Sequence, residues 1–482
     1  MIIKEFLEHP VFSQFDKIAK IPRQSGNEKE ISDYLYNWAK EKNLYVEQDS
    51  YNNVFIKKPA SVGYENKSSI ALQAHIDMVC EKDPDIDHDF KKDAIQYFID
   101  DNIVSTRGRT TLGADDGMGV SYILAILNDK NLKHPAIEAI FTTDEEEGFS
   151  GARNFDGSKI KSDFLINLDH AREDEIVCAS AGGIPIESSK LVKRIPLKPK
   201  YSPYKLSISG LKGGHSGEDI HKGNGNSIIL LFRLLNSFIN SFQILDINAG
   251  SFRLAIPRDA SIDIAISDDN IQNIQQNIQD FKIKFIKEFP NYEDSLDISL
   301  EKINSDKEAI LDEERDELIK LVLLYPNGIQ EMSDVFENLV KTSTNLGEIY
   351  IEDEKLKIIS EIRSLNESEI DLVLYKAETL SKLLNYDFVS SGLYHSWSYR
   401  DHSKLRDLAV QVFSENQKQY INTLAVHAGL ECGFFLAKKP NLDIISIGPN
   451  CYNFHSPSEY FEIESAKKLY TSLIKLLENI NF

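Results

Sequence analysis

The sequence predicts an α/β protein built on a mixed sheet covered by helices, with a separate α+β domain inserted into it. Three observations lead there. Short apolar runs that end in polar residues, Ile70 to Gln73, Ile137 to Phe141 and Phe164 to Leu168, read as buried strands. Helical segments alternate with them, the pattern of a sheet covered on both faces. The pattern changes after Gly182 and Gly183 and returns near the end of the sequence, which makes the first domain discontinuous.

Element by element, Asn27 offers a cap with Glu30 three residues on, and Ile31, Leu35 and Trp38 then share one helical face. Gly117 to Leu127 predicts a helix between the first two strands. Leu191 to Pro203, rich in Lys, Pro and Ser, reads as a crossing between domains. The expected division is residues 1–190 and 386–482 for the first domain and 191–385 for the insertion. Within the insertion, Tyr204 to Ser209 and Ser261 to Ser267 alternate like strands, between long helical segments. Gly250 to Ile266 and Ser343 to Arg363 each suggest a hairpin followed by a strand, a faint repeat. Strand-like Ile444 to Ile447 and a helix from about Glu464, with Ala466, Leu469, Leu473 and Leu476 on one face, resume the first domain.

With 482 residues, 41% hydrophobic and 27% charged, the chain can fill two or three cores. Its formal charge of −22 opposes nucleic-acid binding, which needs basic side chains to displace counterions. Met1 to Phe12 lacks the pattern of a secretion signal, and apolar runs such as Val120 to Leu127 fall well short of the roughly 20 residues of a membrane span. Cys80, Cys178, Cys432 and Cys451 form no CxxC pair. A soluble cytoplasmic protein with reduced thiols, without membrane or nucleic-acid partners, is expected.

The chemistry is concentrated at strand ends. His75 and Asp77, two apart on a strand, face the same side, so the carboxylate can accept the second ring N–H of a metal-bound imidazole. By itself that pair is more often a surface contact. Asp115 and Asp116 lie between glycines at a helix start; Asp116 also suits a helix cap, and Asp115 is the better ligand candidate. Asp144 to Glu147 put four acids directly after a strand, where one carboxylate can hold a dication while its neighbour takes a proton from water. Asp169 follows a further strand, and His455 a last strand and loop. Each alone has an ordinary explanation. Together, two histidines and three acids on strand-end loops suit two divalent cations.

The order His75-x-Asp77, Gly113-Ala114-Asp115-Asp116-Gly117, Glu145-Glu146, Asp169 and His455 resembles the co-catalytic zinc peptidase family that includes tripeptidase T, acetylornithine deacetylase and glutamate carboxypeptidases. LQAHIDMV from Leu72, LKGGHSG from Leu211, AGLECG from Ala428 and ISIGP from Ile445 are similar to its aminoacyl-histidine dipeptidase branch. The resemblance implies a zinc-peptidase catalytic domain with an inserted lid domain, a small peptide as substrate, and two zinc ions, with manganese or cobalt as substitutes. It implies that Asp115 bridges the metals, that His75 pairs with Asp169 and Glu146 with His455, and that Glu145 is the general base with Asp77 behind His75. On the lid, it assigns His215 as donor to the oxyanion and Asn345 with Arg363 as substrate-binding residues, the arginine clamping a carboxylate. Leu254 departs from the Asn expected in that branch, which puts a substrate role for the lid's first half in doubt. The assembly implied is a monomer or homodimer. The expected activity is hydrolysis of dipeptides; the competing readings are an N-acyl amino acid amidohydrolase and a catalytically inactive metal-binding scaffold.

Overall fold

The computed structural model describes residues 3–290 and 295–482. The chain divides into two units, one of residues 1–180, 397–425 and 430–482, the other of residues 181–396 and 426–429.

The first unit is built on an eight-stranded mixed sheet. From one edge the strands run Tyr45–Gln48, Val54–Lys58, Ile137–Thr142, Ile70–His75, Phe164–Asn167, Asp443–Ser446, Glu175–Ser180 and Asn422–Val426. The four in the middle, Ile137–Thr142 through Asp443–Ser446, are mutually parallel. Their near-continuous apolar runs follow from this: every residue of these four strands is buried, because helices cover both faces. Helices Pro10–Ile18, Lys29–Glu41, Ala114–Asn128, Lys404–Gln417 and Ile463–Asn479 supply Phe12, Leu35, Ile123, Phe413 and Leu473 to a single core with Leu72, Ile166 and Ile445. Parallel strands bring their C-terminal ends to one edge, and His75, Glu145, Glu146 and Asp169 lie at or just beyond those ends. A small four-stranded sheet holds the hairpin Cys451–Tyr452 and Tyr460–Glu462, whose connecting loop contains His455.

Where the sequence suggested Asn27 as a helix cap, the helix starts at Lys29 with Glu28 in the cap position. Glu28 Oε1 instead accepts the N–H groups of Gly26 (2.8 Å) and Asp144 (3.1 Å), tying the helix start to the acidic loop. Ile31, Leu35 and Trp38 are buried along one face.

The second unit is a nine-stranded antiparallel sheet with helices, and it is internally duplicated. One half runs Tyr201–Ser209, helix Ser227–Asn236, Phe242–Ala249, Ala260–Ser267, helix Ile271–Glu288, Asp297–Lys302. The other runs Gly182–Leu191, helix Asp312–Leu324, Val340–Glu352, Lys355–Ser364, helix Glu367–Leu383, Asp387–Ser390. Each is a βαββαβ unit with its strands in the spatial order fourth, first, third, second. The first is nested in the second after its opening strand, and the two second strands join the sheets through Asn248 opposite Tyr350 and Ala249 opposite Ile349. The faint repeat in the sequence is offset from this duplication. Ser343 to Arg363 falls on a complete hairpin, whereas Gly250 to Ile266 covers only a turn and the third strand.

The Lys- and Pro-rich stretch expected to cross between domains therefore lies inside the second unit, where it links the opening strand to the nested half. Gly182–Leu191 belongs with this unit because it pairs along its whole length with Lys355–Ser364. Asp387–Ser390 belongs there too, since it pairs with the other edge of Gly182–Leu191.

Leu473 is fully buried on the C-terminal helix. Leu473→Ala is expected to cost about 2–5 kcal/mol of unfolding free energy, read by urea denaturation, through lost transfer energy and the cavity left behind. Divalent-cation affinity should be unchanged.

Candidate active site

The five predicted ligands of the first unit converge. Asp115 stands in the middle: its Oδ1 lies 2.9 Å from His75 Nε2 and its Oδ2 lies 3.6 Å from His455 Nε2. Glu146 Oε2 is 2.9 Å from His455 Nε2, and Asp169 Oδ1 is 3.8 Å from His75 Nε2. Two groups of donor atoms, His75 with Glu145 and Glu146, and Asp115 with Glu146 and His455, each lie within 4.8 Å of one another. His75, Asp116 and Asp169 form a third such group. Asp116 has another task as well: its Oδ1 accepts the N–H of Gly119 at 3.0 Å, the cap contact considered from the sequence. The backbone of Asp115 and Asp116 is non-helical, so the regular helix begins after them.

Asp77 joins the parts. Its Oδ1 is 3.3 Å from His75 Nδ1 and accepts the N–H of Glu145 (3.1 Å), while Oδ2 accepts the N–H of Glu146 (3.2 Å) and the hydroxyl of Ser25 (2.8 Å). One carboxylate thereby pins the loop of both glutamates and lies beside the ring of His75. Two further groups shape the site and were not anticipated from the sequence. Glu459 accepts four successive backbone N–H groups, those of Leu112 (2.7 Å), Gly113 (3.0 Å), Ala114 (2.7 Å) and Asp115 (3.3 Å). Buried Arg23 donates to the carbonyls of Ile76 (3.2 Å), Asp77 (2.8 Å) and Gly113. Glu459 lies two residues after the Ser456-Pro457 pair that follows His455, but its partners are about 345 residues away, so no local pattern signals its role.

The electrostatics are those of a site short of positive charge. Burial, reinforced by neighbouring acids against the opposing His75, pushes Glu145 and Asp169 well above the usual carboxylate range. Burial also pushes at Asp115, but the imidazoles of His455 and His75 beside it overcome that and hold this acid low. The imidazoles respond in kind: burial disfavours their charge, yet Asp115 and Glu146 raise His455 to about 11. Glu146 Oε1 and Asp116 Oδ2 are buried without a hydrogen-bond partner among the described residues. Five carboxylates around two imidazoles, with acceptor atoms unused, form a donor set that fits divalent cations.

The second unit gathers the remaining predicted residues. Glu218 N–H donates to His215 Nδ1 at 3.1 Å, which leaves the neutral ring's proton on Nε2. Gly217 lies where a Cβ would collide with the carbonyl of His427 and crowd His215 Cε1 and Arg363 Nε, so a side chain there would push these three groups apart. Arg363 is 4% exposed, its ring neighbour is Tyr394, and its Nε has no protein partner among the described residues. Glu361, two residues before it on the strand, already takes Tyr394 (2.9 Å) and Arg253 (3.1 Å). Asn345 donates both of its amide hydrogens to the carbonyls of Arg253 (2.8 Å) and Ala255 (2.7 Å), on either side of Leu254. Only its oxygen is left for a ligand. His427 Nε2 lies 2.7 Å from Ser343 Oγ.

Residues 71–479 match the family model of peptidase family M20/M25/M40. The chain belongs to this family. Among curated M20-type relatives, the cytosol non-specific dipeptidase of Escherichia coli (strain K12) is 37% identical over 480 residues, 99% of each chain. The crystal structure of aminoacylhistidine dipeptidase from Vibrio alginolyticus superposes with a TM-score of 0.89 at 34% identity, covering 100% of this chain and 98% of that one. Aminopeptidase PepT from Bacillus cereus, at 14% identity, 98% coverage of each chain and a TM-score of 0.59, shares the fold.

Burial, with Arg363, His215 and His221 adding repulsion, lowers His427 to about 3. The folded protein therefore keeps this ring neutral while the unfolded chain binds a proton below about 6.5, so acid favours unfolding. Between about pH 6 and pH 4 the unfolding free energy of the parent should fall more steeply than that of His427→Gln, by up to about 1.4 kcal/mol per pH unit for the one proton. Urea denaturation across that range is the measurement; parallel slopes would refute the assignment.

Proposed function

We propose that this chain is a metal-dependent dipeptidase that cleaves unblocked dipeptides. The observation that carries the reading is Asp115, whose two oxygens face two different imidazoles, the arrangement of a carboxylate shared by two cations. In this reading His75 and Asp169 serve one cation, Glu146 and His455 the other, and Asp115 both. Divalent cations held there supply Lewis acidity, polarising a peptide carbonyl and making water acidic near neutral pH. Zinc suits the mixture of imidazole and carboxylate, with manganese and cobalt as alternatives.

Glu145 is assigned the proton carrier: next to Glu146, with its own N–H held by Asp77 Oδ1, it takes a proton from the attacking water and returns it to the leaving amine. Asp77 keeps His75 and the Glu145 loop in register. His215, with its proton on Nε2, is assigned the hydrogen bond to the developing oxyanion. Arg363 is assigned the substrate carboxylate, supported by a buried guanidinium whose Nε lacks a protein acceptor among the described residues. Asn345 is left a supporting part, holding the Arg253 to Ala255 turn and offering its oxygen. Two large relatives described as dipeptidases, each aligned over nearly the whole chain, favour a dipeptide over a longer peptide. A cytoplasmic location is part of the proposal, supported by the word cytosol in one relative's name and by four free cysteines. Among the described residues no helix is long and apolar enough to cross a membrane.

Purified protein is expected to hydrolyse Ala-His, to lose that activity on chelation, and to regain it with zinc, manganese or cobalt, while elemental analysis returns two ions per chain. N-acetyl amino acids should be poor substrates; the reverse preference would make the chain an amidohydrolase. Glu145→Gln should lower kcat by about 10²- to 10⁴-fold with cation binding retained. Arg363→Lys should raise KM for Ala-His by about 10- to 100-fold with a smaller effect on kcat, because a lysine cannot make the paired contact to a carboxylate.

A further inference from the structure

Behind the ligand loops, the sheet of the first unit contains a line of buried polar side chains that the mechanism does not use. Glu431, fully buried at the start of helix Cys432–Lys438, accepts through Oε2 from Gln73 Nε2 (2.6 Å) and from Thr142 Oγ1 (2.7 Å). Gln73 Oε1 in turn accepts from Asn167 Nδ2 at 2.6 Å. Asn167 Oδ1 accepts from Ser446 Oγ and from the backbone N–H of Asp169 at 3.3 Å. All of these side chains belong to residues less than 1% exposed.

The line crosses the four parallel strands near their C-terminal ends. Gln73 stands two residues before His75, Thr142 three before Glu145, Asn167 two before Asp169, and Ser446 ends the strand that leads to the His455 loop. We propose that Glu431 is a positioning residue for the metal centre: as an obligatory acceptor it sets the direction of this ladder, and the ladder fixes the strand ends from which the ligands depart. The inference rests on the two-metal reading of the site.

The direction follows from donor and acceptor chemistry. Glu431 Oε2 has no hydrogen to give, so Gln73 must turn its amide N–H toward it and its oxygen toward Asn167. Asn167 must then present N–H to Gln73, which leaves its oxygen for Ser446 and for the backbone of Asp169. The N–H of a proposed ligand thus finds its acceptor because a glutamate far along the chain ends the ladder. Burial pushes Glu431 up to about 7, but a proton on the unpartnered Oε1 would leave Oε2 an acceptor, so the direction survives either state. An acid buried away from water is costly, and a fully connected network offsets that cost while rigidifying what it joins.

The test measures zinc binding to metal-free protein by calorimetry, alongside kcat and KM for Ala-His and the melting temperature, in the parent, Glu431→Ala, Glu431→Gln and Gln73→Met. Glu431→Ala is expected to weaken zinc binding about 10- to 100-fold and to lower kcat with KM within about twofold. Glu431→Gln can keep a carbonyl oxygen in place of Oε2 and should recover both to within about threefold. Gln73→Met, similar in volume, cuts the ladder while leaving Glu431 in place, and should match the loss; it decides the matter if the alanine variant does not fold. Parental zinc affinity and kcat in Gln73→Met, with only the melting temperature lowered, would overturn the proposal. So would a Gln variant as impaired as Ala, since charge rather than acceptor geometry would then be responsible. A parent that binds no zinc or leaves Ala-His intact refutes the dipeptidase reading instead.

Discussion

Like charges crowded at the edge of a sheet are the constraint around which the first unit is organised. Asp115, Asp116, Glu145, Glu146 and Asp169 repel one another, and two imidazoles do not neutralise them. Left to side-chain freedom, such acids would turn to solvent. They stay because the backbone that carries them is held from behind: Glu459 gathers four consecutive N–H groups of the Asp115 loop, Asp77 takes the N–H groups of Glu145 and Glu146, and Arg23 joins the carbonyls of both neighbouring segments. Repulsion held in place this way is affinity for cations, because the binding energy does not have to assemble the ligands.

The sheet makes that restraint possible. Parallel strands buried on both faces have no solvent-facing side, so their ends are set by packing and by the ladder hydrogen bonds alone. Near the C-terminal ends of those strands, Ser446, Asn167 and Gln73 form one connected series that ends on Glu431. The second unit uses other means. Its duplicated antiparallel sheet places Glu361 and Arg363 on one strand face; the glutamate is bonded to Tyr394 and Arg253, while Nε of the arginine has no partner among the described residues.

Short motifs made much of this legible. His75-x-Asp77, the acidic run after Phe141 and the apolar strands before each ligand carry both a periodicity and a chemistry within a few residues, so the fold class and the candidate ligands could be read without coordinates. Readings that depended on a cap or a crossing fared differently. Asn27 lost the helix start to Glu28 because that acid has a partner in the Asp144 loop, and the Lys-rich stretch near residue 195 lies within a unit because strand Gly182–Leu191 finds its pairing partner at Lys355–Ser364.

The sequence by itself determined which segments become strands and helices and which acids and histidines stand at their ends, since burial periodicity and residue chemistry are local properties. Only the tertiary structure decided which of those groups meet, that Asn345 spends its amide hydrogens on a neighbouring turn, and that Glu431, Glu459 and Arg23 hold the site together. The physical reason is separation: Glu431 and Gln73 are 358 positions apart, and a hydrogen bond over that distance leaves no trace in the spacing of either residue's neighbours.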